Sequence, residues 1–333
     1  MRVSIKTIAK LAECSTATVS NILNDKGAFS ESTKKKVLEI VKANNYTRNA
    51  IGRNLRLGRS ETVGITFYRP NADIFRHEFY LNMMGALERT FAENNYEIIL
   101  SEYTDTMVGR GELPPFLAKG KADAMIVLGG FPKESLKIFA ESGYPVVMLD
   151  TYDDSCDCVI TDGRAAVEDA MGEISKRGYK SADFFGFGVP DYNTDMRVAG
   201  FLSGVEKFGF DKSRCRVCRN FFDVGGAVAE FEKMLASPRR PEVVLASNDR
   251  LAAELLAAAK DAGLRVPEDI GFVGFDDTPL AEMVSPKLCT VRTDVGQMGR
   301  RGAMLALRRI ADRNAERVVD VSVPQFVARG SLK

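Results

Sequence analysis

Residues 5–24, IKTIAKLAECSTATVSNILN, decide how the head of this chain folds. The spacing predicts two short helices, 5–12 and 16–23, separated by a tight turn at Glu13-Cys14. Ser4 and Ser15 stand at the two starts, where a serine hydroxyl can accept from backbone N–H groups that a first helical turn leaves unsatisfied. Ile8 and Leu11 are expected to face inward from the first helix, and Val19, Ile22 and Leu23 from the second. Ala9 is small where the second helix must approach closely. Two such helices joined by a turn of about three residues have the logic of a helix-turn-helix. A cap at Ser15 aims the second helix outward, with Thr16, Ala17 and Asn21 sharing an exposed face. Asparagine can pair bidentately with adenine, threonine can donate or accept, and a methyl group can meet the thymine methyl, so this face suits base edges in a major groove.

Charge on either side of that stretch agrees. Residues 1–60 hold 12 basic and 4 acidic side chains, the remaining chain 34 and 41, and the whole 333 residues only a net +1. A basic head on a mildly acidic body points to a polyanion as partner for the head alone. Ser30 opens a third helix, 31–44, with Val37, Ile40 and Val41 on one stripe. The polar run Asn44 to Asn49 follows, then a short candidate helix, 50–57, stopped by Gly58.

From Thr62 the texture changes. Strands at 62–67, 96–100, 122–130 and 145–150 alternate with helices at 78–94 and 132–142. After a crossover at 151–158 the pattern resumes, with helices at 163–177, 195–209, 226–236 and 249–262 and strands at 181–188, near 216–221, at 242–247 and 270–277. Continuous apolar strands followed by amphipathic helices imply parallel sheets covered on both faces, and two successive sets imply two doubly wound lobes. The fold class is therefore α/β, two parallel-sheet lobes preceded by an all-α helix-turn-helix domain. Asn248, Asp249, Asp276 and Asp277 immediately follow strands, at the carboxyl ends where open α/β sheets bind ligands. Asp249 and Asp277 could equally cap helices, and Phe79 and Tyr80 could be core residues of helix 78–94.

The head resembles the lactose-repressor (LacI) family of bacterial regulators, in the blocks TIAKLAECSTATVSNILN (7–24), SESTKKKVLEIVKANNY (30–46) and NAIGRNLRLGRSETVGI (49–65). The likeness continues through VITDGRAAVEDAM (159–171), DMRVAGF (195–201), LASNDRLAAELLAAAKDAGLRVPEDIGFVGFDD (245–277), SPKLCTVRTDVGQMG (285–299) and VPQFVARGSLK (323–333). It implies an operator-DNA interface of Thr7, Ser15, Thr16, Ala17, Thr18, Asn21 and Asn24, followed by a hinge that starts at Asn49. In that hinge Leu55 would wedge into the minor groove and kink the duplex, with Arg53 and Arg56 near phosphates. Arg48, Gly52 and Cys14 depart from the family pattern, which has Pro, Ala and Val there. Gly52 costs about 1 kcal/mol of helix propensity, so the hinge is expected to be disordered off DNA.

The resemblance also implies a body of periplasmic-binding-protein type with a ligand in the cleft between its lobes. Its expected division is a helix-turn-helix domain at 1–48, a hinge at 49–60, and an effector-binding and dimerisation domain at 61–333. Lobe one would take about 61–160 and 291–320, lobe two about 161–290 and 321–333. Arg197, Asn248 and Asp276 are the leading pocket candidates, followed by Phe79, Tyr80, Asp150 and Phe222. An arginine fork, an amide and carboxylates supply donors and acceptors for a polyhydroxylated ligand, and aromatic rings a wall for its apolar face. Partners would be operator DNA, a second copy in a homodimer, and a small-molecule effector, a carbohydrate first. A nucleobase, a phosphorylated metabolite or a protein partner is the alternative effector.

Several function classes fall away. No apolar run approaches the ~20 residues of a membrane span, and the start lacks a hydrophobic signal region, so a cytoplasmic location is expected and a secreted binding protein is not. The single histidine, His77, is read as a surface residue, and no nucleophile elbow, phosphate loop or helical metal motif appears, so no enzyme is expected. The GFG at 186–188 is only half a dinucleotide fingerprint. Cys14, Cys156, Cys158, Cys215, Cys218 and Cys289 are expected to be reduced thiols with neither metal nor cofactor.

Overall fold

The computed structural model describes residues 3–23, 26–44, 46, 59–68, 75, 77–189, 191–237 and 240–333. The candidate helix at 50–57, with Arg53, Leu55, Arg56 and the Gly52 departure, lies outside the described residues, as do Asn24 and Asn49. The chain divides into two compact units, 1–60 and 61–333.

In the first unit, α1 spans Ile5–Ala12, α2 Thr16–Leu23 and α3 Glu31–Ala43. Capping sets the starts. The Thr7 N–H donates to Ser4 Oγ at 3.3 Å, that of Thr18 to Ser15 Oγ at 3.0 Å and that of Thr33 to Ser30 Oγ at 3.2 Å. Glu13 stops α1 in the left-handed region at φ 57°, and its carboxylate holds Lys36 of α3 at 2.9 Å. Ile8, Ala9, Ala12, Val19, Ile22 and Val37 form the core. One expectation fails here: Leu11 is 49% exposed. Because Ala9 and Ala12 are the residues small enough for the close approach, the buried face of α1 is centred on them and rotates Leu11 out to solvent.

The second unit holds a six-stranded parallel sheet in the order β11-β5-β4-β3-β1-β2, made by β1 Thr62–Tyr68, β2 Glu97–Tyr103, β3 Ala124–Leu128, β4 Val146–Leu149, β5 Asp157–Thr161 and β11 Val319–Ser322. A four-stranded parallel sheet has the order β7-β6-β8-β9, from β6 Ala182–Phe185, β7 Arg216–Cys218, β8 Val243–Ala246 and β9 Gly271–Val273. β10 Thr290–Arg292 and β12 Gln325–Val327 pair antiparallel, and bridges from Val273 to Cys289 and Asp276 to Arg292 join that ribbon to the end of β9. Every residue of β3, β4, β5, β6 and β8 is buried, which is why these runs carry no alternation in sequence.

Helices cover both sheets: α4 Glu78–Glu93, α5 Asp105–Arg110, α6 Pro115–Ala118 and α7 Lys133–Ala140 follow the first strands, and α8 Gly163–Lys176, α9 Tyr192–Lys207, α10 Val224–Leu235, α11 Asp249–Asp261, α12 Leu280–Met283 and α13 Val295–Ala311 follow later ones. At Gly64, on β1, a Cβ would lie 2.0 Å from the Phe116 ring, so only glycine lets that side chain lie on the sheet. The stretch 151–158 is not the crossover that its acidic, turn-like composition suggests. β5 begins inside it and pairs with β4 and β11, so the chain leaves the first sheet only after Thr161. Asp157 can open a buried strand because Arg309 grips it at 2.6 and 3.1 Å and the Val318 N–H donates to it at 2.6 Å. No helix among the described residues is long and apolar enough to cross a membrane.

Candidate functional site

The cleft is assembled at the carboxyl ends of strands from both sheets, together with helix starts. Asp150 follows β4 and Asp276 follows β9, and both backbones are left-handed, at φ 59° and 102°. For a non-glycine residue such angles cost of order 1–3 kcal/mol, the kind of strain that clusters at ligand sites. Ser247 and Asn248 follow β8. A cavity of about 590 Å³ opens between these ends, and Phe79, Tyr80, Asp150, Arg197, Phe222, Asn248 and Asp276 all line it.

From the first sheet's side come Tyr80 and Asp150. The Tyr80 hydroxyl donates to Asp150 Oδ2 at 3.1 Å, and Gly129, at φ 76°, is the residue past which it reaches: a Cβ there would lie 2.8 Å from the phenol oxygen. Phe79 meets Tyr80 edge to face with centroids 5.2 Å apart and is buried in the core behind it, so it is at once core and pocket wall. His77 also lines the cleft, its ring edge-on to Tyr80 at 6.2 Å. The reading of His77 as a surface residue is therefore corrected. It stands immediately before α4, and the helix start carries it to the cleft along with Tyr80.

The second sheet's side supplies Arg197 from α9. Its guanidinium lies over the Phe275 ring at 3.8 Å from the centroid, donates through Nη1 to the Ser247 carbonyl, and sits 3.7 Å from Asp276 Oδ1 through Nη2. Asn248 caps α11, its Oδ1 accepting from the Leu251 N–H at 2.8 Å, which turns the amide Nδ2 away from that bond. Phe222 is 76% exposed, a large apolar side chain left open at the cleft. Asp249 and Asp277, weighed as helix caps, do something else. Asp249 is fully buried and accepts from the Thr278 N–H at 2.6 Å and from the Thr278 and Thr290 hydroxyls. Asp277 pairs with Arg292 at 2.6 Å and Arg329 at 2.7 Å.

The residue that sequence reasoning missed is Asn193. Its Nδ2 donates to the carbonyl oxygen and to Oδ1 of Asp150, both at 2.9 Å, tying the start of α9 to the end of β4. Helical spacing could have found it, since Asn193 lies four positions before Arg197 and so on the same face. Among the described residues, Asn193 Oδ1, Arg197 Nε, Ser247 Oγ and Asp276 Oδ1 are buried without a hydrogen-bond partner around this one cavity. A buried polar atom without a partner costs about 1–3 kcal/mol, so four together mark a place that a ligand or water completes.

Burial dominates the titration. It pushes Asp150 up to about 7, with Asp191 and Asp276 adding to the rise and Arg197 opposing it. Asp276 rises to about 6 through burial against the pull of Arg197. Asp249 reaches about 7, again chiefly through burial. The Cys156 and Cys218 thiols go up to about 12, far from thiolate chemistry at neutral pH. Among the described residues no group of three or more histidine, cysteine or acidic side chains could hold a metal ion.

In the head, Thr7, Ser15, Thr16, Ala17 and Asn21 are exposed and Thr18 is half-buried. The exposed start of α2 beside a packed α1 is the helix-turn-helix disposition, and the cleft is that of a two-lobed ligand-binding domain. Together they define a regulator with a DNA-binding head and a ligand-binding body.

Comparison with known proteins gives the same class. Residues 4–49 match the bacterial regulatory proteins of the lacI family, and residues 172–332 match the periplasmic binding protein-like domain. The HTH-type transcriptional repressor PurR of Vibrio cholerae is 25% identical over 99% of this chain and 98% of its own length. The lac repressor dimer bound to operator and the anti-inducer ONPF superposes with a TM-score of 0.86 at 18% identity, covering 100% of both chains. The transcriptional regulator CelR in complex with cellobiose has a TM-score of 0.73 at 23% identity, over 99% of this chain and 100% of that one. The chain thus combines a LacI-family helix-turn-helix domain with a periplasmic-binding-protein-like domain, as in transcriptional repressors of that kind.

Proposed function

We propose that the chain is a repressor that binds a pseudo-palindromic operator as a cytoplasmic homodimer and changes its DNA affinity when a sugar or sugar derivative occupies the cleft. In this reading 1–48 reads DNA, 49–60 is the hinge that inserts Leu55, and 61–333 binds effector and dimerises. Thr7, Ser15, Thr16, Ala17, Thr18, Asn21 and Asn24 contact the operator, with Arg53 and Arg56 near phosphates. Effector binding shifts one lobe on the other, and this linkage reaches the operator.

What carries the effector half is the convergence of buried polar atoms lacking partners on one cavity of about 590 Å³ walled by Phe79, Tyr80 and Phe222. Carboxylates, an amide and an arginine beside aromatic rings suit a ligand with many hydroxyls and one apolar face. The cellobiose bound by CelR is of that kind. A nucleobase is the second reading, favoured by the same aromatic set, which could stack on a flat ring.

The test is a gel shift with the DNA upstream of the protein's own gene, run with and without a panel of pentoses, hexoses, disaccharides and nucleobases. Expected are retention of a symmetric site and a change in retention with one sugar class. A protein that enriches no symmetric site from random duplexes at low salt would overturn the DNA-binding half. Retention and melting temperature that ignore every sugar but follow a base would replace the effector.

A further inference from the structure

Three helices aim their N-termini at the cleft. A helix N-terminus, with its free N–H groups and positive end of the dipole, is where a phosphate or carboxylate ligand ordinarily binds. In this cleft those positions are taken. Asp191 caps the 16-residue α9, accepting from the Thr194 N–H at 2.8 Å, and Asp223 caps the 12-residue α10, accepting from the Gly226 N–H at 2.7 Å. Asn248 caps the 13-residue α11. Both capping carboxylates line the cavity.

The inner wall repeats the pattern. Arg197, 8% exposed, is the buried cation: its Nη1 donates to the Ser247 carbonyl, its Nη2 forms an ion pair at 3.7 Å with Asp276 Oδ1, and among the described residues its Nε has no hydrogen-bond partner. The Asp276 carboxylate beside the guanidinium offsets its positive charge toward an incoming anion. Among the described residues no hydrogen bond reaches Oδ1 of Asn193, 6% exposed, or Oδ1 of Asp276, whose contact with Arg197 is an ion pair at 3.7 Å. Those two buried oxygens require hydrogen-bond donors from whatever fills the cleft, and an ionised phosphate or carboxylate brings mostly acceptors. Asp150, Asp191, Asp223 and Asp276 stand against Arg197 and an exposed Arg250 around the cavity.

Resting on the reading of this cleft as the effector site, we propose that it selects by charge: it takes uncharged, donor-rich ligands and rejects phosphorylated and carboxylated ones. Asp191 and Asp223 are its specificity-determining residues, because they fill the helix N-termini where an anion would sit.

Matched pairs test this on the full chain by thermal melting at constant ionic strength: ribose with ribose 5-phosphate, glucose with glucose 6-phosphate, and inorganic phosphate against chloride. Wild type is expected to be stabilised more by the neutral member of a pair and no more by phosphate than by chloride. Asp223→Asn and Asp191→Asn/Asp223→Asn keep a good capping residue and lose the charge, so their melting without ligand should stay near wild type. Each carboxylate removed should strengthen anion binding about ten-fold, read as phosphate-dependent stabilisation that wild type lacks. The single variant, at an exposed cap, keeps the test available should the double one fold poorly.

Wild type that binds an anionic member as tightly as its neutral partner would overturn the proposal. So would variants that gain no affinity for phosphate. Charge discrimination in the phosphate arm without any sugar that alters operator retention would instead defeat the sugar reading and leave this one standing.

Discussion

The carboxyl group of Asp150 makes the stability of the ligand-free protein depend on pH in a direction that can be worked out. Asp150 is 5% exposed, faces Asp191 and Asp276 as well as Arg197, and titrates at about 7 instead of 3.8. Its folded value lies above its unfolded one, so between the two the native state holds a proton that the unfolded chain has lost. Stability then falls as pH rises through that window. From pH 6 to pH 8 the weight of the protonated native form drops about ten-fold while the unfolded chain hardly changes, a loss of about 1.4 kcal/mol. At roughly 2–4 °C per kcal/mol for a body of this order of size, the melting temperature should be about 3–5 °C higher at pH 6 from this group alone. Asp249 and Asp276 act in the same direction, so the measurement is a difference: melting curves of wild type and Asp150→Asn at pH 6, 7 and 8. The asparagine can still accept from Asn193 Nδ2, and it should flatten the pH dependence by that amount while raising stability at pH 8. Parallel curves for the two proteins would show that Asp150 is ionised throughout and that its burial is compensated.

Ser15→Ala removes the hydroxyl that accepts from the Thr18 N–H, and loss of such a cap costs about 1 kcal/mol, read as earlier melting of the head and weaker operator retention. Unchanged melting would mean that α2 is held by packing alone. Leu55→Ala should weaken retention of a symmetric operator by about ten-fold or more while leaving weak binding to random duplex intact; equal loss on both would refute the wedge. Gly64→Ala drives a methyl to 2.0 Å from the Phe116 ring, and overpacking of this kind costs about 1–3 kcal/mol or more, so the body should melt earlier or fail to accumulate. A melting temperature within a degree or so of wild type would mean that Phe116 moves aside at little cost.

The helices of the head and the strands of the body were legible because each is specified locally. Ser4, Ser15 and Ser30 announce their helices by capping chemistry, and apolar runs such as AMIVL announce buried strands whatever lies around them. β5 was harder to see. Its first residues, Asp157 and Cys158, end an acidic stretch that reads as a crossover until Arg309, far along the chain, is known to neutralise Asp157. Leu11 was misplaced for the related reason that two alanines, not helical period alone, set which face of α1 is buried.

The cleft was legible in its chemistry but not in its wiring. Arg197, Asn248 and Asp276 could be picked out because each sits at the end of a strand or in a matching block, and Asp150 only through the family resemblance. What they do to one another could not. That Arg197 is already engaged by Ser247 and Asp276, and that Asn193 reaches across to Asp150, depends on contacts between residues 43 or more positions apart. The consequence is functional. An arginine read alone suggests an anion site, whereas the same arginine, with Nη1 held by Ser247, Asp276 beside Nη2 and four carboxylates around the cavity, has its charge offset by its surroundings. Ligand class in such a cleft is therefore set less by which polar residues are present than by which of their atoms the fold leaves unused.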